Sequence, residues 1–506
     1  MSPSDESRAT RREWIALAVI ALPCLLYAMD LTVLTLAVPA LTADLRPSAT
    51  ELLWIVDIYG FLVAGFLITM GTLGDRIGRR RLLLIGAAAF GGASVVAAFA
   101  SSAETLIASR ALLGVAGATL APSTLALIRG MFHDAQQRTV AIGIWVTSFS
   151  TGAAIGPLVG GVLLETFWWG SVFLLAVPVM ALLLAVGPRL LPEHKDPDPG
   201  PLDLPSAGLS LAAVLAVIYG MKTIAGDGVT WAGVAPALAG LALGAAFLDR
   251  QRRLAHPMID LELFRVPSFG AALGANTLGF AVVFGIEIFV AQYLQLVLGF
   301  SPLQAGLWSV PPAAAFVVGS QLTPPLAARW RPAQVMLGGM LVSLVGIALL
   351  TQVATAGGPG LVVGGAVIMS LGLAPLFTLA ADLAVGTAPP ERAGSASGIS
   401  ETSSELGGAL GIALLGTIGT AVFRGEVAGH ETLGSAVAAA ERLPVPMRSE
   451  ILDPAREAFT DGLQVAATVS GAIIVAAAIL VARMVWREPG RHAAPLGPAV
   501  APEPCA

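Results

Sequence analysis

The stretch Gly71–Arg81, GTLGDRIGRRR, decides how this chain is read. It carries four arginines and one acid, Asp75, and it stands between two long apolar runs, 51–72 and 82–101. Guanidiniums are too costly to leave in hydrocarbon, so the stretch marks a tight turn at a membrane surface. Short loops rich in Lys and Arg stay on the inner side, which makes this turn cytoplasmic. Gly71, Gly74 and Gly78 let two helix ends approach closely around Asp75.

Outward from that turn, the composition is that of a membrane protein. Of 506 residues 56% are hydrophobic and 12% charged, with a mean hydropathy of +0.81, against roughly 25% charged in soluble domains. The formal net charge of −5 says little about partners, because placement outweighs the sum. Two cysteines, Cys24 in the first apolar run and Cys505 at the C-terminus, leave no room for a disulfide framework or a thiolate metal site. Of the 28 basic residues only Lys195 and Lys222 are lysine, which with the abundant Ala and Gly points to a GC-rich bacterial genome.

Apolar runs of roughly 20 residues, each able to cross a bilayer as a helix, recur along the chain. Fourteen are predicted, at 14–40, 51–72, 82–101, 104–127, 138–165, 169–191, 205–224, 231–248, 269–298, 303–327, 333–354, 359–386, 396–422 and 461–484. With both termini inside, 21 basic residues fall on inner segments and six on outer ones (Arg46, Lys222, Arg424, Arg442, Arg448 and Arg456), leaving Arg110 within a span. Twelve spans would discard two good segments, 205–224 and 231–248. The expected order is a cytoplasmic N-terminus 1–13, a six-helix bundle 14–191, a cytoplasmic loop 192–204 and two inserted helices 205–248. A cytoplasmic loop 249–268, a second six-helix bundle 269–484 with a long extracellular loop 423–460, and a disordered cytoplasmic tail 485–506 complete it. Arg11-Arg12 is not read as a twin-arginine signal, because Asp30 interrupts the following run and no small-residue cleavage site appears. Leu73-Gly74-Asp75-Arg76-Ile77-Gly78-Arg79 with Gly86 has a degraded echo at Leu326-Ala327-Ala328-Arg329-Trp330-Arg331 with Gly338, as expected of parallel repeats.

These segments resemble a known family. GTLGDRIGRRR resembles the loop motif of the major facilitator superfamily, G-x-L-a-D-r-x-G-r-r. Met29-Asp30-Leu31-Thr32-Val33-Leu34 with Pro39 is similar to the first-helix motif of its fourteen-helix drug:proton antiporter branch. Arg110-Ala-Leu-Leu-Gly114 with Gly117 and Pro122 is similar to the fourth-helix motif, and Gly152-Ala-Ala-Ile-Gly156-Pro157-Leu-Val-Gly160-Gly161 to the fifth-helix motif of antiporters. The resemblance implies an all-α polytopic fold of two six-helix halves plus two inserted helices. It implies multidrug efflux across a bacterial cytoplasmic membrane, by a monomer without cofactor or metal, with protons and small lipophilic or cationic substrates as partners and no nucleic acid. It also implies a cytoplasmic gate at Gly71, Gly74, Asp75, Arg76, Gly78, Arg79 and Arg80, latched by ion pairs of Asp75, and a proton-relay role for Arg110. Asp30, Asp57 (in Trp54-Ile-Val-Asp57-Ile-Tyr59) and Glu401 with Glu405 (in ETSSELGG) resemble the cation and proton sites of the first, second and thirteenth helices.

Each motif has its own physical reading. Gly152, Gly156 and Gly160 fall at i, i+4 and i+8, a smooth groove for a neighbouring helix, and Pro157 permits a kink. The groove serves either plain packing or a pivot for alternating access. An acid at mid-bilayer costs about 2.5–3.5 kcal/mol on insertion scales, so such residues face a cavity and work there. Asp30, Asp57, Glu287, Glu401 and Glu405 lie well within spans, Glu104, Glu165 and Asp227 near span ends, and Asp382 is ambiguous. Desolvation favours a neutral carboxylic acid and a nearby cation favours the carboxylate, so a proton and a cationic substrate compete for one group. Glu401 and Glu405, at i and i+4, share a helix face. Glu287 belongs to no motif, and a helix–helix hydrogen bond is as good a reading as coupling. Arg110, read as the one cation inside a span, requires an acid or a helix carbonyl. Trp54, Tyr59, Trp145, Phe149, Phe284, Phe289 and Tyr293 either offer aromatic faces to a lipophilic cation or pack against core and lipid.

The chain has no G-x-x-x-x-G-K-[ST] phosphate loop, nucleophile elbow, His–Glu zinc motif or cysteine cluster, so an ATP-driven pump or an enzyme is not expected. The expectation is a secondary active transporter, a proton-coupled antiporter exporting lipophilic, cationic drugs or toxic compounds by alternating access. A dedicated exporter of a self-made antibiotic or metabolite would use the same mechanism. A non-transporting membrane sensor or scaffold would leave Asp30, Asp57 and Glu405 without a use.

Overall fold

The structure, a computed structural model, describes residues 9–193, 195, 203–254, 257–259, 261–386, 393–427, 429–440 and 444–487. The first eight residues and the stretch 488–506, with Cys505 and most of the tail expected to be disordered, lie outside the described residues. Among those described there is no strand, as hydrocarbon demands: a span without water must satisfy every backbone group internally. The helices are α1 Arg11–Leu45, α2 Ala49–Ile77, α3 Arg79–Ala98, α4 Ala103–Gly117, α5 Leu120–Met131, α6 Ala135–Thr166, α7 Ser171–Leu174 and α8 Ala176–Leu190. They continue as α9 Leu204–Asp227, α10 Trp231–Arg253, α11 Pro267–Gln292, α12 Pro302–Ala327, α13 Pro332–Leu350, α14 Pro359–Gly386, α15 Ala393–Glu426, α16 Leu433–Ala440 and α17 Val445–Arg487.

Local chemistry sets many of these ends. Thr10 with Glu13, Ser48 with Glu51 and Ser301 with Gln304 form capping boxes that start α1, α2 and α12. Asp134 and Asp203 accept from the third residue of α6 and α9, satisfying donors that the first helical turn leaves open. The run 104–127 is broken at Ala118–Thr119 into α4 and α5, and a π-helical turn, Tyr293–Val297, prolongs α11. Among the described residues, thirteen helical segments are long and apolar enough to cross a membrane. The 26-residue α12 is long enough too, but four internal prolines and several polar residues dilute its hydropathy.

The opening stretch is less of a turn than its composition suggests. α2 stays helical through Ile77 and α3 begins at Arg79, so the reversal is confined to Gly78 at φ 106. A side chain at that dihedral is strained, and a Cβ there would run into the Glu193 carboxylate. The long loop expected at 423–460 is largely helical among the described residues, holding the end of α15, α16 and the first turns of α17.

α1 packs along α6, α2 along α4, α3 along α8, α11 along α15 and α13 along α14. The group α1–α8 meets the group α11–α17 through α2 on α15, α6 on α12, and α1 on α11. Between the groups in sequence, α9 and α10 form a hairpin whose α9 rests on both α2 and α15.

Candidate functional site

Buried charge gathers first around α4. Arg110 is only 1% exposed, and its Nη1 lies 2.5 Å from Asp30 Oδ2 on α1. Its Nε donates to the Ile55 carbonyl of α2 at 3.2 Å, and its guanidinium carbon lies 4.5 Å from the centre of the Tyr59 ring. The planar fork of arginine makes an ion pair, a carbonyl contact and a ring contact at once, which a lysine cannot do. The buried cation therefore has both of the partner types that its span position requires.

From Tyr59 the site continues to α15. The Tyr59 and Tyr27 rings are 6.1 Å apart, and Tyr27 Oη donates to Glu405 Oε1 at 2.6 Å. Phe149 of α6 meets Tyr27 edge-on at 5.7 Å, and Trp145 meets Phe149 at 4.8 Å while its Nε1 donates to Thr124. The Tyr59 hydroxyl is buried without a hydrogen-bond partner among the described residues. Glu401 lies one turn before Glu405, and the neighbouring rungs of α15 are polar as well. Asn276 of α11 donates to Ser404 at 2.8 Å, and Thr277 bonds Ser403. Five helices thus bring Asp30, Arg110, Tyr27, Tyr59, Trp145, Phe149 and Glu405 into one connected set, joined across the two helix groups by the Tyr27–Glu405 hydrogen bond.

Other expected residues lie elsewhere. Asp57 pairs with Lys222 of α9 at 2.8 Å, and Trp54 covers that lysine, its ring centre 4.3 Å from Nζ. Lys222 therefore corrects the reading of Arg110 as the one cation inside a span: a long apolar stem carries its ammonium out of the lipid and onto an acid. Tyr293 donates to the Ala354 carbonyl at 2.7 Å, Phe289 packs on Phe459 and under Gly419, and Phe284 lies against Phe280 and Gly408. The contacts of these three lie within the α11–α17 group, apart from the Tyr27–Tyr59 cluster. Glu287 makes no hydrogen bond or ion pair among the described residues.

At the arginine-rich end, Asp75 pairs with Arg79 at 2.5 Å across the Gly78 break. Arg79 also reaches the Pro122 carbonyl at 3.5 Å, close beside Gly71 and Gly74. Arg80 lies 3.5 Å from Glu193 and donates to the carbonyls of Pro188 and Leu191 at 3.3 and 3.1 Å. These contacts bind α2 and α3 to α5 and the end of α8. The echo near Arg329 has no acid, and there Arg331 caps α13 instead, its N–H donating to Gln334. Along α6, a methyl on Gly152, Gly156 or Gly160 would collide with Leu25, Thr32 or Val33 of α1. On its other side Pro157 and Gly161 lie against Gly306 and Leu303 of α12, so α6 is wedged between α1 of its own group and α12 of the other.

Against known sequences, the family model of the Major Facilitator Superfamily matches residues 20–412. The chain belongs to that superfamily. It is 44% identical over 487 residues to the multidrug efflux pump LfrA of Mycolicibacterium smegmatis, covering 94% of this chain and 97% of the relative. It is 35% identical over 483 residues to the methyl viologen resistance protein SmvA of Salmonella typhimurium (92% and 97% covered). The tetracenomycin C resistance and export protein of Streptomyces glaucescens is 30% identical over 494 residues (92% and 91% covered). In fold the chain is similar to a bacterial homolog of the human lysosomal transporter Spinster, inward-facing and occupied, with TM-score 0.67, 16% identity, and 95% and 98% of the two chains covered. A superfamily member of this kind is a membrane transporter and not an enzyme.

Two residues of this superfamily member were not singled out from sequence. Tyr27 sits three positions before Asp30 on the same helix face, and it is one of only four tyrosines in the chain. Lys222 ends an otherwise apolar run, which reads equally well as an interfacial anchor.

Proposed function

We propose that the chain is a proton-coupled antiporter that exports lipophilic cationic compounds by alternating access. The observation that carries this is the Tyr27–Glu405 hydrogen bond, because it places a carboxyl of one helix group against the aromatic wall of the other. A flat cation can stack on Tyr27, Tyr59, Trp145 and Phe149 while Glu405 and Glu401 balance its charge. Proton and cation then compete for the same carboxyls, so binding of one releases the other. Asp30 and Arg110 adjoin this wall and form the second half of the proton path.

The relatives support the substrate class: one is named for resistance to methyl viologen, a dication, and two carboxyls one turn apart suit such a charge. Exchange of one monovalent cation for one proton is electroneutral and draws about 1.4 kcal/mol per pH unit. Any further proton per cycle adds about 2.3 kcal/mol per 100 mV of membrane potential.

In this reading the arginine-rich end faces the cytoplasm of a bacterial cell, and α1–α8 and α11–α17 are the two rocking halves. The Asp75–Arg79 and Arg80–Glu193 pairs lie within the α1–α8 half, so they serve the gate by bracing the inner end of that half rather than by latching it to the other. Contacts that join the halves at the opposite end, such as Gly161 on Leu303 and Gly434 on Thr42, support a cavity open to the cytoplasm. A dedicated exporter of a self-made product is the second reading, favoured by the export protein for tetracenomycin C among the relatives; neighbouring biosynthetic genes would distinguish it.

The test uses inverted vesicles with an imposed proton gradient and ethidium as the cation. The wild type is expected to accumulate dye and to release protons when dye is added, and Asp30→Asn and Glu405→Gln are each expected to lose at least about tenfold in exchange rate. If the wild type neither moves dye nor releases protons, the reading fails.

A further inference from the structure

Lys222 is a second cation buried within the spans, and it stands apart from the acid–aromatic cluster. Its side chain and that of Asp57 are both 0% exposed, with Nζ 2.8 Å from Oδ2. Along α2, Trp54, Asp57 and Phe61 lie on one face, whereas Ile55 and Tyr59, which meet Arg110, point nearly the opposite way. The Asp57 face is a junction of three helices: Phe61 of α2 and Ile218 of α9 are buried with Ala409 and Ala413 of α15, and Trp54, Leu215 and Leu406 pack around them. Gly60 seals the seam, since a Cβ there would stand 3.2 Å from Ala409. The α9–α10 hairpin therefore lies across the seam between the two helix groups. Its hold on α15 is apolar, and its hold on α2 includes an ion pair.

That ion pair is incomplete as a hydrogen-bonded unit. Despite the short approach, neither Asp57 oxygen nor the ammonium has a properly aligned hydrogen bond among the described residues. A buried pair of this kind is a poor device for stability alone, because desolvation offsets the attraction, yet removing one partner strands the other charge. Such a pair serves better as a specific attachment.

We propose that Lys222 is a tethered counter-ion that takes Asp57 out of the transported-cation site and fixes the α9–α10 hairpin to the α1–α8 group, leaving α9 free to slide on α15. Lys222 is then a positioning residue. The sliding part rests on the alternating-access reading, whereas the attachment does not.

Two arms test this on the full chain reconstituted in vesicles. In the first, ethidium–proton exchange is compared for Lys222→Met, Lys222→Arg and the double variant Asp57→Asn/Lys222→Met. Lys222→Met is expected to slow exchange about tenfold, and Lys222→Arg and the double variant to return within about threefold of wild type. A double variant as slow as Lys222→Met would overturn the proposal, because Asp57 would then be needed for its charge. Lys222→Met at the wild-type rate would overturn it as well. The second arm joins α2 to α9 through Gly65→Cys and Leu211→Cys in the otherwise native chain. A Cβ on Gly65 would lie 3.7 Å from that of Leu211, close to the ~3.8 Å of a disulfide. The disulfide is expected to form and exchange to continue when it is closed, since the hairpin travels with α2. Exchange that stops on oxidation and resumes on reduction would overturn the attachment. If wild type moves no dye, the function proposed above fails, and the yield of this disulfide with and without Lys222→Met still decides the attachment, a fall of about tenfold being the result it requires.

Discussion

At the scale of single residues, the site depends on groups that hold more than one partner. Tyr27 presents a ring to Phe149 and Tyr59 and a hydroxyl to Glu405. Tyr27→Phe keeps the ring and deletes the donor, so ethidium affinity is expected to stay within about twofold while proton-coupled exchange slows roughly five- to tenfold, a net hydrogen bond to a charged group being worth about 1.5 kcal/mol or more. Equilibrium dye binding and exchange rate on the same vesicles separate the two effects. Arg110→Lys retains the charge but loses the fork that reaches Asp30 and the Ile55 carbonyl together. Its expected outcome is a loss of exchange nearly as large as that of Asp30→Asn, in contrast to Lys222→Arg, where a point charge is enough. Asp30, Arg110 and the Glu401/Glu405 pair were legible in the sequence, because an ionised group within an apolar run is conspicuous by its cost alone. Tyr27 was not: an aromatic side chain in a membrane helix costs nothing to place, so only its tertiary partner reveals it. Asp57 shows the converse, a conspicuous acid whose partner came from a helix pair that carried no motif.

At the scale of elements, close approach decides which helices stay together. A Cβ on Gly152 would run into the Leu25 carbonyl, which is backbone and cannot withdraw without parting α1 from α6. Gly152→Ala is expected to lower stability by about 1–3 kcal/mol, as overpacking does, and to stall exchange. Gly92→Ala on α3, where an added methyl meets nothing within 4 Å, serves as the control and is expected to leave the unfolding temperature equal or slightly higher. Thermal unfolding of the purified variants in detergent checks both. Apolar length made the spans readable, and the interruptions were harder. The break at Ala118–Thr119 follows Gly117 and precedes Pro122, which has no N–H for the Ala118 carbonyl, whereas the π-helical turn at Tyr293–Val297 falls in a run with no strong breaker and follows from the packing of neighbours. The stretch Gly71–Arg81 shows the same limit. Its charges marked a surface, but helix continues through most of it because a single glycine at positive φ can turn the chain.

At the scale of the whole molecule, the two helix groups are joined at the end opposite the arginines by more than packing. Glu431, between α15 and α16, accepts from the Ala49 N–H at 2.8 Å and pairs with Arg424 at 2.8 Å. A carboxylate at the start of α2 lies where the helix dipole favours it, a contribution of about 0.3–1 kcal/mol, so Glu431→Gln is expected to raise the accessibility of a cysteine placed at Thr42 about two- to fivefold. Labelling with a membrane-impermeant thiol reagent measures it, and unchanged labelling would show that α16 closes this end by its apolar contacts alone.

The α9–α10 hairpin has one more consequence. Only 17% of the apolar part of α10 is buried in protein, so most of its surface is left to the acyl chains. Its 23 residues run from Trp231 to a triplet of basic groups at Arg250, Arg252 and Arg253, about 35 Å of helix against roughly 30 Å of hydrocarbon. Such a helix leans to match the bilayer and straightens as the bilayer thickens. With α9 gripping α2 through Lys222, that lean is expected to reach the wall of the transport path, so ethidium–proton exchange should change rate with the acyl-chain length of the reconstituted vesicles, and a rate independent of chain length would show that the hairpin passes nothing on.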